Sequence, residues 1–223
     1  MSFQFPTLAR TTVSRWINRT LLALAIAVGI GGFLETESVS ANAPAASIIA
    51  ALPAGEAETD IDAFWNETLT DAGYGYYTPS LVGFDQGITT GGCGYVEPQS
   101  YSSFYCQVDS TVYYSIPTIA GEIDRFGDAG WVHIMAHEWG HHVQLLSGIL
   151  ATQGDVMTLE LQATCFAGVY VQNAVDRGLI STDAVVVMED MLAGDASHGS
   201  REALVGSFDQ GYDGDLAGCG LSI

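Results

Sequence analysis

Strands first and helices after predict an α+β fold, carried by a single domain over residues 60–223. Between Gly73 and Pro117 the chain is dominated by Tyr, Val, Thr and Phe and punctuated by Gly and Pro, the texture of strands and turns. Beyond residue 125, apolar residues recur at three- and four-residue spacing, the period of helices packed on one side. Residues 44–59 are rich in Ala and Pro without an amphipathic period and read as a linker. Asp60 then serves as the N-cap of a short helix carrying Phe64, Trp65 and Leu69 and ended by Gly73. Strands are expected over 76–84, 103–108 and 111–116, the last as either an edge strand open to an extended peptide or a core strand. Helices are expected near 129–147, 158–177, 182–193 and 200–211, with Gly148 and Gly178 as stops and Ser181 as an N-cap.

Ahead of this domain, Arg10, Arg15 and Arg19 precede the apolar run Leu21 to Leu34. Basic residues followed by a short apolar stretch define a secretory signal or a retained signal anchor over residues 1–43, with small residues at Ala41 and Ala43 as cleavage positions. Either places the rest of the chain outside the cytoplasm, secreted or membrane-anchored. Charge is lopsided, with six Lys+Arg against 26 Asp+Glu and a net charge of −20. Such acidity repels phosphate backbones and anionic headgroups, which excludes nucleic acid as a partner and leaves the membrane only through the N-terminal segment. Cys93, Cys106, Cys165 and Cys219 form an even set without a C-x-x-C pair, as in an exported disulfide protein. Three pairings are open; Cys93–Cys106 is the most local and leaves Cys165–Cys219, while four buried thiols are the other reading.

The chemistry is concentrated in His137-Glu138-Trp139-Gly140-His141. Residues four apart lie about 40° round a helix from each other, so both imidazoles leave one face and can share a metal ion. Zinc accepts neutral imidazole, and its catalytic sites use three protein ligands and a water that Glu138, next in sequence, can deprotonate as general base. Chance could set these residues on a solvated helix, but the flanking Trp131, Val132, Met135 and Val143 are apolar. A buried helix tolerates such polar groups when a metal pairs them. Glu160, an acidic residue in the next apolar segment, is the candidate third ligand; Asp155 competes but lies where a helix would need its N-cap.

The strings AHEWGHHVQLLSG, LELQATCFAG and SHGSREALVGSFDQGYDGD, with GGCG, FYCQVDSTVYY and a Gly-rich tail ending in Cys219, resemble the bacterial neutral zinc metallopeptidase family over residues 90–220. The resemblance implies a zincin-like fold, peptidase activity, one zinc ion on His137, His141 and Glu160, and Glu138 as base. The family's second helix usually reads E-L-Q-A-D; here Thr164 replaces that aspartate, which would orient a ligand histidine. Loss of such a partner lowers metal affinity or activity 10–100-fold, so weaker zinc binding is expected.

His198 is a candidate donor to the negative charge that builds on a scissile carbonyl, or else a cap or packing residue. Tyr113 and Tyr114 are rival donors. His133 shares the face of His137 but reads as a core or cleft-wall residue, and His142 should point away from the metal. The expected function is extracytoplasmic hydrolysis of peptides or proteins by a zinc-dependent endopeptidase. The alternative is a zinc-stabilised interaction module with a decayed site.

Overall fold

A computed structural model describes residues 49–152 and 155–221. The signal or anchor read over residues 1–43 lies outside the described residues.

Helix α1 spans Glu56–Asp71, so residues 56–59 are helix and not linker. The cap is Gly55, whose N–H is taken by the Glu58 carboxylate at 2.6 Å, while Pro53 O accepts from Glu56 and Ala57 N–H. Glu56 and Glu58 in the first turn suit the positive end of the helix dipole. Asp60, expected as the cap, instead faces the last turn of a later helix and binds Arg177 through both oxygens, at 2.7 and 2.6 Å. Ala57, Ile61, Trp65 and Leu69 form the buried stripe, and Gly73 ends the helix at a φ of 86°.

Strands β1 (Ser80–Phe84), β4 (Ser103–Cys106) and β5 (Thr111–Ser115) form a sheet in the order β1-β5-β4, with β1 parallel and β4 antiparallel to β5. The short pair β2 (Ile88–Thr89) and β3 (Tyr95–Val96) makes a separate antiparallel ribbon. The strand over 111–115 is thus central, which explains its nearly continuous burial. The edge beside the helices belongs to β4.

Helix α2 (Ile116–Phe126) was not anticipated, because Pro117 reads as strand punctuation. A proline in the first turn has no N–H to lose, and Ser115 caps the helix by accepting from Thr118 N. Gly127, at φ 64°, turns the chain into α3 (Asp128–Leu146). A 3-10 turn (Ile149–Ala151), α4 (Val156–Asp176), α5 (Thr182–Met191) and α6 (Arg201–Tyr212) complete six α-helices among the described residues. Gly148 and Gly178 do end α3 and α4 in left-handed conformations, and Ser181 accepts from Ala184 N as an N-cap.

Helix α3 lies against α1, α2, α4, α5 and β4. Its own Trp139, and Trp65, Phe166, Tyr170 and Phe208 around it, are fully buried, each burial contributing about 1.5–3 kcal/mol. Helices α4 and α6 touch through glycines: a Cβ on Gly168 would lie 2.2 Å from Phe208 O, and one on Gly211 would overlap Cys165 O. Both expected disulfides are formed, Cys93–Cys106 across 13 residues and Cys165–Cys219 across 54. In the chain-entropy account such closures contribute about 3 and 4 kcal/mol.

Candidate metal centre

The site exists because α3 and α4 meet at a glycine. A Cβ on Gly140 would stand 2.7 Å from Ala163 O and 2.9 Å from Ala163 Cα, so only a bare backbone lets α4 come this close. One turn before Ala163, Glu160 then reaches under α3. Its Oε2 lies 3.1 Å from His137 Nε2 and 3.2 Å from His141 Nε2. Both imidazoles and the carboxylate are largely shielded, at 15% and 17% side-chain exposure.

The surrounding hydrogen bonds settle which atoms can donate. Gln144, fully buried, gives its amide N–H groups to Leu159 O (2.7 Å) and Gln162 Oε1 (3.0 Å). Its Oε1 is therefore an acceptor, and the 2.9 Å contact to His141 Nδ1 is a ring N–H donated to it. Thr164, expected to stand in for an aspartate, gives its hydroxyl proton to Glu160 O (3.0 Å) and so accepts from His137 Nδ1 (3.2 Å). With both Nδ1 atoms donating outward, each neutral ring turns an Nε2 lone pair toward the carboxylate. Two lone pairs and an anionic oxygen face one another with nothing between them to donate. A cation resolves that, either a proton or a metal ion.

Protonation leaves its mark on the pair. Burial would raise the Glu160 carboxyl, but the hydrogen bonds from His137 and His141 outweigh it and hold the group well below the usual range. Burial likewise opposes charging His141, yet Glu160, the charge of Glu138 and Gln144 together lift it above its ordinary value. A divalent ion would displace those protons. The donor set, imidazole nitrogens plus a carboxylate oxygen, fits zinc.

Glu138 is 4% exposed. Its Oε1 accepts from Ser103 Oγ at 2.7 Å, and its Oε2 is buried without a partner. An acceptor left unpaired by protein groups costs about 1–3 kcal/mol, so Oε2 is free to take a donor from outside the protein. Ser103 was not anticipated: it lies in β4, far from α3 in sequence, and only the fold brings the two together. Beside these groups opens a cleft of about 500 Å³, lined by His137, Glu138, Thr164 and His198, by Ser100 to Ser103, and by Met191 and Leu192.

His198 sits on the loop between α5 and α6 with Nε2 3.4 Å from Glu160 Oε2. The ligand atoms of His137, Glu160 and His198 all fall within 4.8 Å of one another. His141 stands outside that close group, yet it is nearer to Oε2 (3.2 against 3.4 Å), more shielded and on the same helix as His137, so both histidines present a nitrogen to the carboxylate. His133 forms part of the cleft wall, 8% exposed, with Nδ1 buried and unpartnered. Burial, aided by nearby His137, pushes it down to about 3, so it is neutral. His142 points the other way, held by Tyr105 Oη and Tyr77 O at 2.7 Å each. Asp155 heads α4 and its carboxylate accepts from Thr158 Oγ1. Of the tyrosines, Tyr113 donates to Asp109 and Tyr114 packs on Trp131; Tyr101 is the one that lines the cleft.

The family model described as "Putative neutral zinc metallopeptidase" matches residues 37–211. An Escherichia coli K12 protein named "Uncharacterized protein YpfJ" is 31% identical over 189 residues, 70% of this chain and 65% of the relative. A Mycobacterium tuberculosis H37Rv protein named "Uncharacterized protein Rv2575" is 34% identical over 122 residues, 49% of this chain and 40% of the relative. The chain thus spans less than two thirds of the length of these relatives. No solved structure matches the chain.

Proposed function

Because the chain belongs to the neutral zinc metallopeptidase family, we propose that it is a zinc-dependent endopeptidase working outside the cytoplasm, on a zincin-like scaffold. The observation that carries the reading is the convergence of His137 Nε2, His141 Nε2 and Glu160 Oε2 with every outward donor already committed. His137, His141 and Glu160 would hold the ion. When bound, zinc supplies a Lewis acid and brings the pKa of a neighbouring water down to about 7. Glu138 has the residue role that remains. Its unpartnered Oε2 accepts the proton of the attacking water and returns it to the leaving amine, while Ser103 holds the other oxygen still. An extended peptide would lie along the open side of β4, next to the cleft, adding a strand through main-chain hydrogen bonds. Two disulfides are compatible with an oxidising compartment. No helix among the described residues is long and apolar enough to cross a membrane.

The alternative, a zinc-stabilised module without activity, is favoured by one feature, Thr164 in place of an aspartate. Zinc content and casein hydrolysis, measured for the native chain and Glu138→Gln, separate the readings. The endopeptidase reading expects one zinc per chain in both and hydrolysis in the native chain alone. Bound zinc with no hydrolysis in either would leave the module; absence of bound zinc would remove both.

A further inference from the structure

Within the cleft, His198 is more elaborately held than a loop histidine needs to be. Asp195 accepts from Ser197 N (2.7 Å), Ser197 Oγ (2.8 Å) and His198 N (2.8 Å), and its Oδ2 lies 2.9 Å from His198 Nδ1. Main-chain bonds between Asp195 and Gly199, at 2.9 and 3.1 Å, close the loop on itself. Gly194 admits no side chain, since a Cβ there would lie 2.4 Å from Arg201 N and 2.6 Å from Gly199 O. Arg201 anchors the outer side by donating to Glu189 O and Leu192 O, the end of α5. The loop is a compact bracket for one ring.

A carboxylate only accepts, so the contact to Nδ1 is a ring N–H donated to Asp195. The neutral ring therefore presents Nε2 as a lone pair, and that lone pair faces Glu160 Oε2 at 3.4 Å. This is the arrangement already found at His137 and His141, where Thr164 and Gln144 play the part of Asp195. A donor to a carbonyl oxygen would need a hydrogen on Nε2, which the neutral ring in this orientation lacks.

Building on the metal centre read above, we propose that His198 is a fourth protein ligand of the same ion, with Asp195 as the positioning residue that fixes its coordinating tautomer. A shell of three imidazoles and one carboxylate has no open position, whereas catalytic zinc sites keep one. Of the four, His198 is the most exposed, at 41% of its side chain against 15% for the helical histidines, and it alone stands on a loop. It is the ligand that would yield its place when substrate enters.

X-ray absorption on the zinc-loaded full chain without substrate counts imidazoles directly. Three in the native protein and two in His198→Ala are expected, with zinc dissociation constants from chelator competition raised at least tenfold in the variant. Asp195→Ala keeps the ring but removes its anchor and should raise the constant 10–100-fold. Far-ultraviolet circular dichroism and a cooperative urea transition verify that each variant is folded. Two imidazoles in native protein and His198→Ala alike, with equal zinc affinity, would overturn the proposal while leaving the metal centre in place. Failure of the native chain to bind zinc at all would overturn the centre itself. Three imidazoles retained in Asp195→Ala would remove the role given to Asp195.

Discussion

Replacing Gly140 by alanine sets two effects of known size against each other. Alanine is favoured over glycine inside a helix by about 1 kcal/mol, so α3 alone would gain. The new Cβ, however, meets Ala163 O at 2.7 Å, where ordinary contact begins at 3.4 Å. The obstacle is backbone and cannot rotate away. Helices α3 and α4 must separate by about 0.7 Å at this point, an overpacking cost of about 1–3 kcal/mol. The net loss of folding stability is therefore small, between about 0 and 2 kcal/mol. The effect on the site is larger. Glu160 lies one turn from Ala163, and its contacts of 3.1 and 3.2 Å to the two imidazoles open by the same amount, well beyond the roughly 0.2 Å tolerance of metal–ligand distances. Zinc affinity should fall at least tenfold, about 1.4 kcal/mol. Competition with a chromophoric chelator measures this, and urea unfolding of the metal-free protein measures the stability term separately. Native zinc affinity in Gly140→Ala would refute the claim that close helix contact builds the site.

Thr164→Asp replaces a hydroxyl acceptor by a carboxylate at His137 Nδ1 and should tighten zinc binding 10–100-fold; equal dissociation constants would sink this. Ser103→Ala leaves Glu138 Oε1 without its donor and should lower kcat with little change in zinc content, as metal analysis and peptide turnover would show. Asp60 sits below its ordinary 3.8 because Arg177 hydrogen-bonds it, against burial and with help from Tyr170. Its stabilisation is thus present above 3.8 and lost as pH falls through the lower folded value. Asp60→Asn should cost about 1 kcal/mol at pH 7, allowing for solvent screening of a partly exposed pair. Denaturant titrations should show that difference shrinking below pH 3.8, and a constant difference down to pH 2 would contradict it. Removing zinc with a chelator should lower the thermal midpoint, by an amount equivalent to about 2.7 kcal/mol when free zinc had been 100 times its dissociation constant.

Much of this molecule could be read along the chain because the relevant geometry is local. His137 and His141 share a face by helical repeat alone, and Glu138 lies beside them for the same reason. The helices carrying them were legible from apolar spacing, and their ends from Gly148, Gly178 and Ser181. Local signals also misled: Asp60 looks like a cap but pairs with Arg177 far along the chain, and Pro117 looks like a break but begins α2. What the tertiary structure decided is which groups from separate elements share the space round one carboxylate. Ser103 from β4 carries no mark in sequence that ties it to Glu138, Thr164 is marked only by the family resemblance, and Gln144 and Asp195, though three residues from the rings they hold, follow no pattern that singles them out. Side-chain hydrogen bonds act over about 3 Å. Residues dozens of positions apart can therefore orient a ligand ring only after the packing of α3 on α4, permitted by Gly140, has brought them within that reach.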